Sequence, residues 1–171
     1  PKLLEEKTNS RIIYPGTDSD NEMGLYAASK TNASIWINNN SKNTKIIRSS
    51  IIGPEIKPKP YLFEFLQKTK NASFSENARW NGNTTLTWAK YCLKMMHNWN
   101  DHGVENVICS SCITKSELAE IISDVFELKV NIDTTSEKGF NRCLKNEKSY
   151  SPIKKQLIDL KEFIYIYNQQ K

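Results

Sequence analysis

The chain has 171 residues, 38% of them hydrophobic and 25% charged, with six glycines and six prolines. That mixture supports a packed globular core and excludes disorder, collagen-like repeats and low complexity. The 24 basic and 19 acidic residues leave a net charge of +5, but the lysines are scattered among acidic and neutral neighbours, so no nucleic-acid partner is indicated. No apolar run nears the roughly 20 residues of a membrane helix, and the opening residues lack the build of a signal peptide. A cytoplasmic protein without a membrane partner is expected.

In chain order, residues 1–22 mix turn formers with an acidic cluster and read as a surface loop. Leu25, Ala28, Ile35 and Trp36 recur near helical spacing, which predicts a helix from Met23 to about Asn38. The β-branched run Thr44 to Ile52 predicts a buried strand closed by Gly53-Pro54. Lys57-Pro58-Lys59-Pro60 breaks regular structure and places a boundary near residue 55. A short helix from Tyr61 to Lys70 follows, then a longer one from Thr84 to Asn98 with Leu86, Ala89, Leu93 and Met96 on one face. Val104 to Ser110 reads as a strand. Thr114 and Glu117 form a capping box ahead of the stripe Leu118, Ile121, Ile122, Val125 and Phe126, which marks a core-facing helix. Leu128 to Ile132 suggests another strand, residues 133–149 a polar loop, and Ile153 to about Asn168 a last helix. Strands alternating with helices imply an α/β fold with a mostly parallel sheet.

Four cysteines in a chain of this size are expected as thiols, largely buried, because such a core needs no covalent staples. Cys109 and Cys112 form a single CxxC with no second pair at zinc-ligand spacing, so no metal is assigned. The sequons at Asn32, Asn39, Asn71 and Asn83 are close to the number that chance gives for this composition.

Tyr26 and Lys30 stand four residues apart on the helix, hence on one face. A neighbouring ammonium stabilises a phenolate, so such a pair suits proton donation to a ketone oxygen as hydride arrives at carbon. The spacing recurs at Tyr150/Lys154 and Tyr167/Lys171, so alone it describes an ordinary amphipathic helix start better than a catalytic pair.

Read together, Leu25-Tyr26-Ala27-Ala28-Ser29-Lys30, Ile47-Arg48-Ser49-Ser50-Ile51-Ile52-Gly53-Pro54-Glu55 and Trp80-Asn81-Gly82-Asn83-Thr84-Thr85-Leu86 resemble the C-terminal half of sugar-nucleotide reductases. The group is the dTDP-4-dehydrorhamnose-reductase-like branch of the extended short-chain dehydrogenase superfamily, and the resemblance covers about residues 18–145. It implies residues 1–54 as the C-terminal part of a Rossmann-like NAD(P)-binding domain. Residues 55–171 would be a small α/β substrate-binding region with a strand and helix returning to the Rossmann-like sheet. Tyr26 would be the proton donor, and Lys30 would hold the nicotinamide ribose. Ser49, Ser50 and Ile51 would pass beside the nicotinamide end of NADPH or NADH, while Glu55, Trp80 and Asn81 would line the sugar-nucleotide pocket. From the residues alone, Trp80 serves equally as packing, Asn81-Gly82 as a turn and Glu55 as a solvated charge.

The glycines at 16, 24, 53, 82, 103 and 139 form no glycine-rich cofactor turn. That turn, and the Ser or Thr that partners the family's tyrosine at the end of an earlier strand, are expected upstream of Pro1. The resemblance therefore implies a nucleotide-sugar substrate and a missing N-terminal Rossmann half as partners, with a homodimer left open. Two other readings stand beside reduction. One is a non-catalytic sugar-nucleotide-binding subunit. The other is an epimerase or dehydratase using Cys92, His97, Cys109 or Lys57, among which no spacing selects a pair.

Overall fold

The computed structural model describes residues 2–18, 24–55, 61–145 and 150–170. Helix α1 (Lys2–Thr8) ends where Asn9 turns to φ 51°, a left-handed conformation that Asn tolerates, and β1 (Ile12–Pro15) follows. The expected opening loop is thus a helix and a strand. Short-range pattern missed them because long-range bonds hold them. β1 runs parallel to β2 (Thr44–Arg48), and the Glu5 carboxylate on α1 accepts from the Ser41 and Thr44 hydroxyls and the Lys42 and Asn43 amides. Of the acidic cluster, Asp18 is described, whereas residues 19–23 lie outside the described residues, as do 56–60 with the expected linker.

α2 (Leu25–Asn40) connects β1 to β2, and β7 (Glu105–Val107) pairs parallel to β2 on its other side. This gives a three-stranded parallel sheet in the order β1-β2-β7. The expected single strand through Ile52 breaks at Ser49-Ser50, and β3 (Ile51–Ile52) pairs instead with β6 (Asn83–Thr84). Beyond it come α3 (Leu62–Lys68), β4 (Asn71–Ser75) and β5 (Arg79–Trp80). β5 pairs antiparallel with β8 (Ile113–Thr114), and β4 runs parallel to β9 (Asn131–Thr135), which starts three residues later than the pattern suggested.

On α4 (Thr85–His97) the buried face is Thr87 and Met95 flanked by Trp88, Tyr91 and Cys92, while Leu93 and Met96 point outward. These residues and Trp99 pack with Ile13, Ile47 and Ile108 into a core beside the three-stranded sheet. A larger core joins Phe63, Leu66, Ala72 and Trp80 to Leu118, Ile122 and Val125 of α5 (Lys115–Phe126) and to Ile153 and Leu157 of α6 (Ile153–Gln169). The start of α5 follows its sequence closely: the Thr114 hydroxyl accepts from the Glu117 amide, and the Glu117 carboxylate accepts from the Thr114 amide.

Candidate functional site

The chain after β2 makes a tight passage. Asn83 is fully buried, and its side-chain amide donates to the Ser49 hydroxyl and the Ile108 carbonyl, each at 2.9 Å. Gln156, from α6, donates to the Asn83 Oδ1 at 3.0 Å and to the Ser151 carbonyl at 2.8 Å, and accepts from the Thr84 amide at 3.0 Å. Buried amides of this kind are tolerated because each polar atom finds a partner. They lock the break between β2 and β3 against the start of α4.

Three residues before Asn83, the Trp80 indole N–H donates to the Ser50 hydroxyl at 2.6 Å, and the Ser50 carbonyl accepts from the Asn83 amide at 2.9 Å. Gly82 sits where a Cβ would overlap the Ser50 carbonyl and the Trp80 ring. The Trp-Asn-Gly segment therefore presses directly on Ser49-Ser50, and only glycine allows the approach.

These contacts shape a cavity of about 320 Å³. Ser50, Ile51, Ile52, Gly53 and Glu55 supply one stretch of its lining and Tyr61 to Phe63 another. Trp80 lines it too, with Lys115 and Leu118 of α5 and Arg142 from the segment after β9. Sequence patterning did not single out Lys115 or Arg142. They are remote in the chain and unremarkable singly, and only the fold sets two cations beside Glu55, Ser50 and an indole.

The expected site residues divide. Ser50, Ile51, Glu55 and Trp80 meet at the cavity. Ser49 does not line it: its hydroxyl donates to the Ser50 carbonyl and accepts from Asn83. Nor does Asn81, a correction to its expected place in the pocket, because its amide clasps the backbone of Leu144, donating to the carbonyl at 2.8 Å and accepting from the N–H at 2.9 Å.

Tyr26 and Lys30 lie outside the cavity lining, on the α2 side of the three-stranded sheet. The Lys30 ammonium donates to the Pro15 carbonyl at 3.0 Å and stands 4.9 Å from the centre of the Tyr14 ring and 6.0 Å from that of Tyr26. Both distances are within the range at which a ring face attracts a cation. Burial pushes the Tyr14 phenol up from its ordinary pKa, and neighbouring Tyr26 adds to the shift. Tyr14 thus joins the pair, which the sequence did not reveal because it lies on a strand not recognised there. The strand before α2 is β1, and just past its end stands Thr17, buried to 5%. Tyr26 itself is 63% exposed, open to a reactant.

Of the residues considered for other acid–base chemistry, Cys92, His97 and Cys109 do not line the cavity, and Lys57 lies outside the described residues. Cys109 is buried as a thiol, but Cys112 and Cys143 form a disulfide, contrary to the expectation of free thiols. The fold brings these residues, 31 apart in sequence, to a Cα separation of 5.8 Å, inside the range a disulfide spans.

No protein family's sequence pattern matches the chain, and no curated protein matches its sequence. Among solved structures it is similar to a dTDP-4-dehydrorhamnose reductase from Clostridium acetobutylicum, with a TM-score of 0.74 at 12% identity over 94% of this chain and 68% of that one. It is also similar to dTDP-4-dehydrorhamnose reductase from Bacillus anthracis in complex with NADP (TM-score 0.73, 14% identity, 94% and 67%). A third is dTDP-glucose 4,6-dehydratase from Bacillus anthracis in complex with NAD (TM-score 0.66, 12% identity, 99% and 66%). At such identities the likeness establishes the fold, an α/β architecture with Rossmann-like parallel strands. The chain spans about two thirds of the length of these structures.

Proposed function

We propose that the chain is the substrate-binding part of an NAD(P)H-dependent reductase of a keto-sugar nucleotide. In this reading residues 1–54 belong to a Rossmann-like domain, and residues 55–171 form the substrate region that returns β7 and α4 to its sheet. The observation that carries it is the convergence of Ser50, Ile51, Glu55 and Trp80, from motifs about thirty residues apart in the chain, on one cavity that also holds Lys115 and Arg142. A nucleotide sugar presents a flat base, a diphosphate and hydroxyls. A pair of cations and a carboxylate answer the diphosphate and the hydroxyls in kind, while Trp80, packed in the core, supplies an apolar wall.

The residues present fit one end of a nicotinamide cofactor. An ammonium carries three donor hydrogens, so Lys30 can hold the Pro15 carbonyl and still donate to a ribose hydroxyl. No glycine-rich turn is present to meet a pyrophosphate, which would have to be held by residues beyond this chain. When bound, the nicotinamide supplies hydride. Tyr26 delivers a proton from its hydroxyl to the carbonyl oxygen, and Lys30 stabilises the phenolate left behind. Tyr14 backs the ammonium on the side facing β1.

One observation favours a second reading. Tyr26 and Lys30 do not line the cavity, so the chain can bind a nucleotide sugar without reducing it. Calorimetric titration separates the readings from failure of both. dTDP-glucose or UDP-glucose should bind the chain, and Lys115→Ala should weaken that binding while leaving the fold intact. NADPH should bind poorly to the chain alone and well to a complete enzyme. Absence of binding by every nucleotide sugar to a folded chain would overturn the pocket assignment.

A further inference from the structure

We infer that Cys112 and Cys143 form a redox-modification site whose thiol state governs the seating of Arg142 at the cavity. Arg142 stands on an irregular segment after β9, where the Phe140 carbonyl accepts from the Arg79 amide at 3.1 Å and Asn141 bridges to Arg79. The Arg142 amide donates to the Arg79 carbonyl at 3.0 Å, and Leu144 is clasped by Asn81. The disulfide from Cys143, next in sequence to Arg142, to Cys112 is the covalent tether. It ties the segment to residues just before β8 and α5, the helix that brings Lys115 to the same cavity. The bond therefore joins the supports of both cavity cations.

The exposure of the two residues fits a reversible switch. Cys112 is an exposed residue and Cys143 a half-buried one, whereas Cys109 is buried. A glutathione thiolate attacks the Cys112 sulfur, forming a mixed disulfide while Cys143 leaves as a thiolate. A second glutathione thiolate then attacks the glutathione sulfur, giving glutathione disulfide and the Cys112 thiolate. Both thiolates take up protons. The protein disulfide gains two electrons, and two glutathiones lose them.

The test uses the full chain in reduced and oxidised glutathione buffers, followed by alkylation and mass spectrometry, with amide hydrogen exchange on each state. Cys112 and Cys143 are expected to interconvert as a pair while Cys109 stays reduced. On opening, exchange at the Arg142 and Leu144 amides should accelerate about tenfold or more relative to the α5 amides. Cys143→Ser should show the open-state rates in either buffer, and reducing the unaltered chain provides the same comparison if that variant does not fold. The inference is overturned if both cysteines alkylate fully in oxidised glutathione, if Cys109 is the one that pairs, or if the two states exchange alike. None of these readouts involves a ligand, so failure of the nucleotide-sugar reading would leave the outcome unaffected.

Discussion

Replacing Gln156 with alanine tests whether the polar lock beneath the cavity is desolvated and fully used. The wild-type side chain is 2% exposed and engages the Thr84 amide, the Asn83 Oδ1 and the Ser151 carbonyl. Truncation orphans the first two, both on residues that are 0% exposed, whereas half-buried Ser151 can recover water. At ~1–3 kcal/mol for each orphaned buried group, the variant should lose about 3 kcal/mol. That is a large share of the roughly 5–15 kcal/mol that holds a domain. With a urea m-value of about 2 kcal/mol/M, the unfolding midpoint falls by about 1.5 M. Equilibrium urea unfolding followed by tryptophan fluorescence reads the shift directly. Gln156→Glu sharpens the test, since an ionised carboxylate still accepts from Thr84 but opposes the acceptors on Asn83 and Ser151. Burial disfavours its charged form, so its penalty should be smallest below about pH 4.3, where the single O–H still serves one of the two acceptors, and grow as pH rises above it. A Gln156→Ala loss under about 1 kcal/mol with an unchanged m-value would refute the reasoning.

In Gly82→Ala the new methyl meets the Ser50 carbonyl and the Trp80 ring, so a cost on the order of 2–3 kcal/mol is expected, with weakened nucleotide-sugar binding even where the protein stays folded. Calorimetry and urea unfolding report both, and unaltered binding would contradict the role given to this contact. Thr114→Ala removes the capping box of α5 and should cost about 1 kcal/mol in urea, leaving the fold intact. For Glu5, burial pushes the carboxyl up but the hydrogen bonds from Ser41, Thr44, Lys42 and Asn43 together outweigh it, leaving the pKa below 4.5. A depressed folded-state pKa contributes stability above the unfolded value and loses it as pH falls through the folded one. The stability gap between wild type and Glu5→Gln, measured by thermal unfolding from pH 7 to pH 3, should therefore narrow on acidification; a gap that widens would be inconsistent. In a complete enzyme, Tyr26→Phe should lower kcat by at least a hundredfold with nearly constant substrate affinity.

The elements legible in the sequence are those whose signal is local. The capping box and stripe of α5, the length of α2 and the start of α6 depend on residues within a turn or two, and the structure places them within a few positions of the pattern. What was illegible depends on partners elsewhere in the chain. β1 is four residues long and exists by pairing with β2, and β5 and β6 are two residues each, too short for any period to register. On α4 an apolar stripe was visible, yet the buried face lies one position away, because Trp88, Tyr91 and Met95 fill the space beside β2 better than Leu93 and Met96 do.

The same division runs through the site. Motifs name side chains but not what those side chains touch, and two residues of a single motif can end on different errands. Trp80 faces the cavity while Asn81, its neighbour, turns to hold Leu144. Ser50 faces the cavity while Ser49 is absorbed into the amide lock under it. In both pairs the neighbours part at the end of a strand, β5 ending at Trp80 and β2 ending just before Ser49. Lys115 and Arg142 carry no motif, and each becomes meaningful only through what it stands beside. Lys115 is fixed by the capped start of α5. Arg142 depends on an irregular segment tied by Asn81, Arg79 and a sulfur bridge. A cavity with one cation on a rigid helix and the other on a tethered segment has its polar lining unequally fixed. Any change in the tether should therefore reach the Arg142 side before it reaches the Trp80 and Lys115 side.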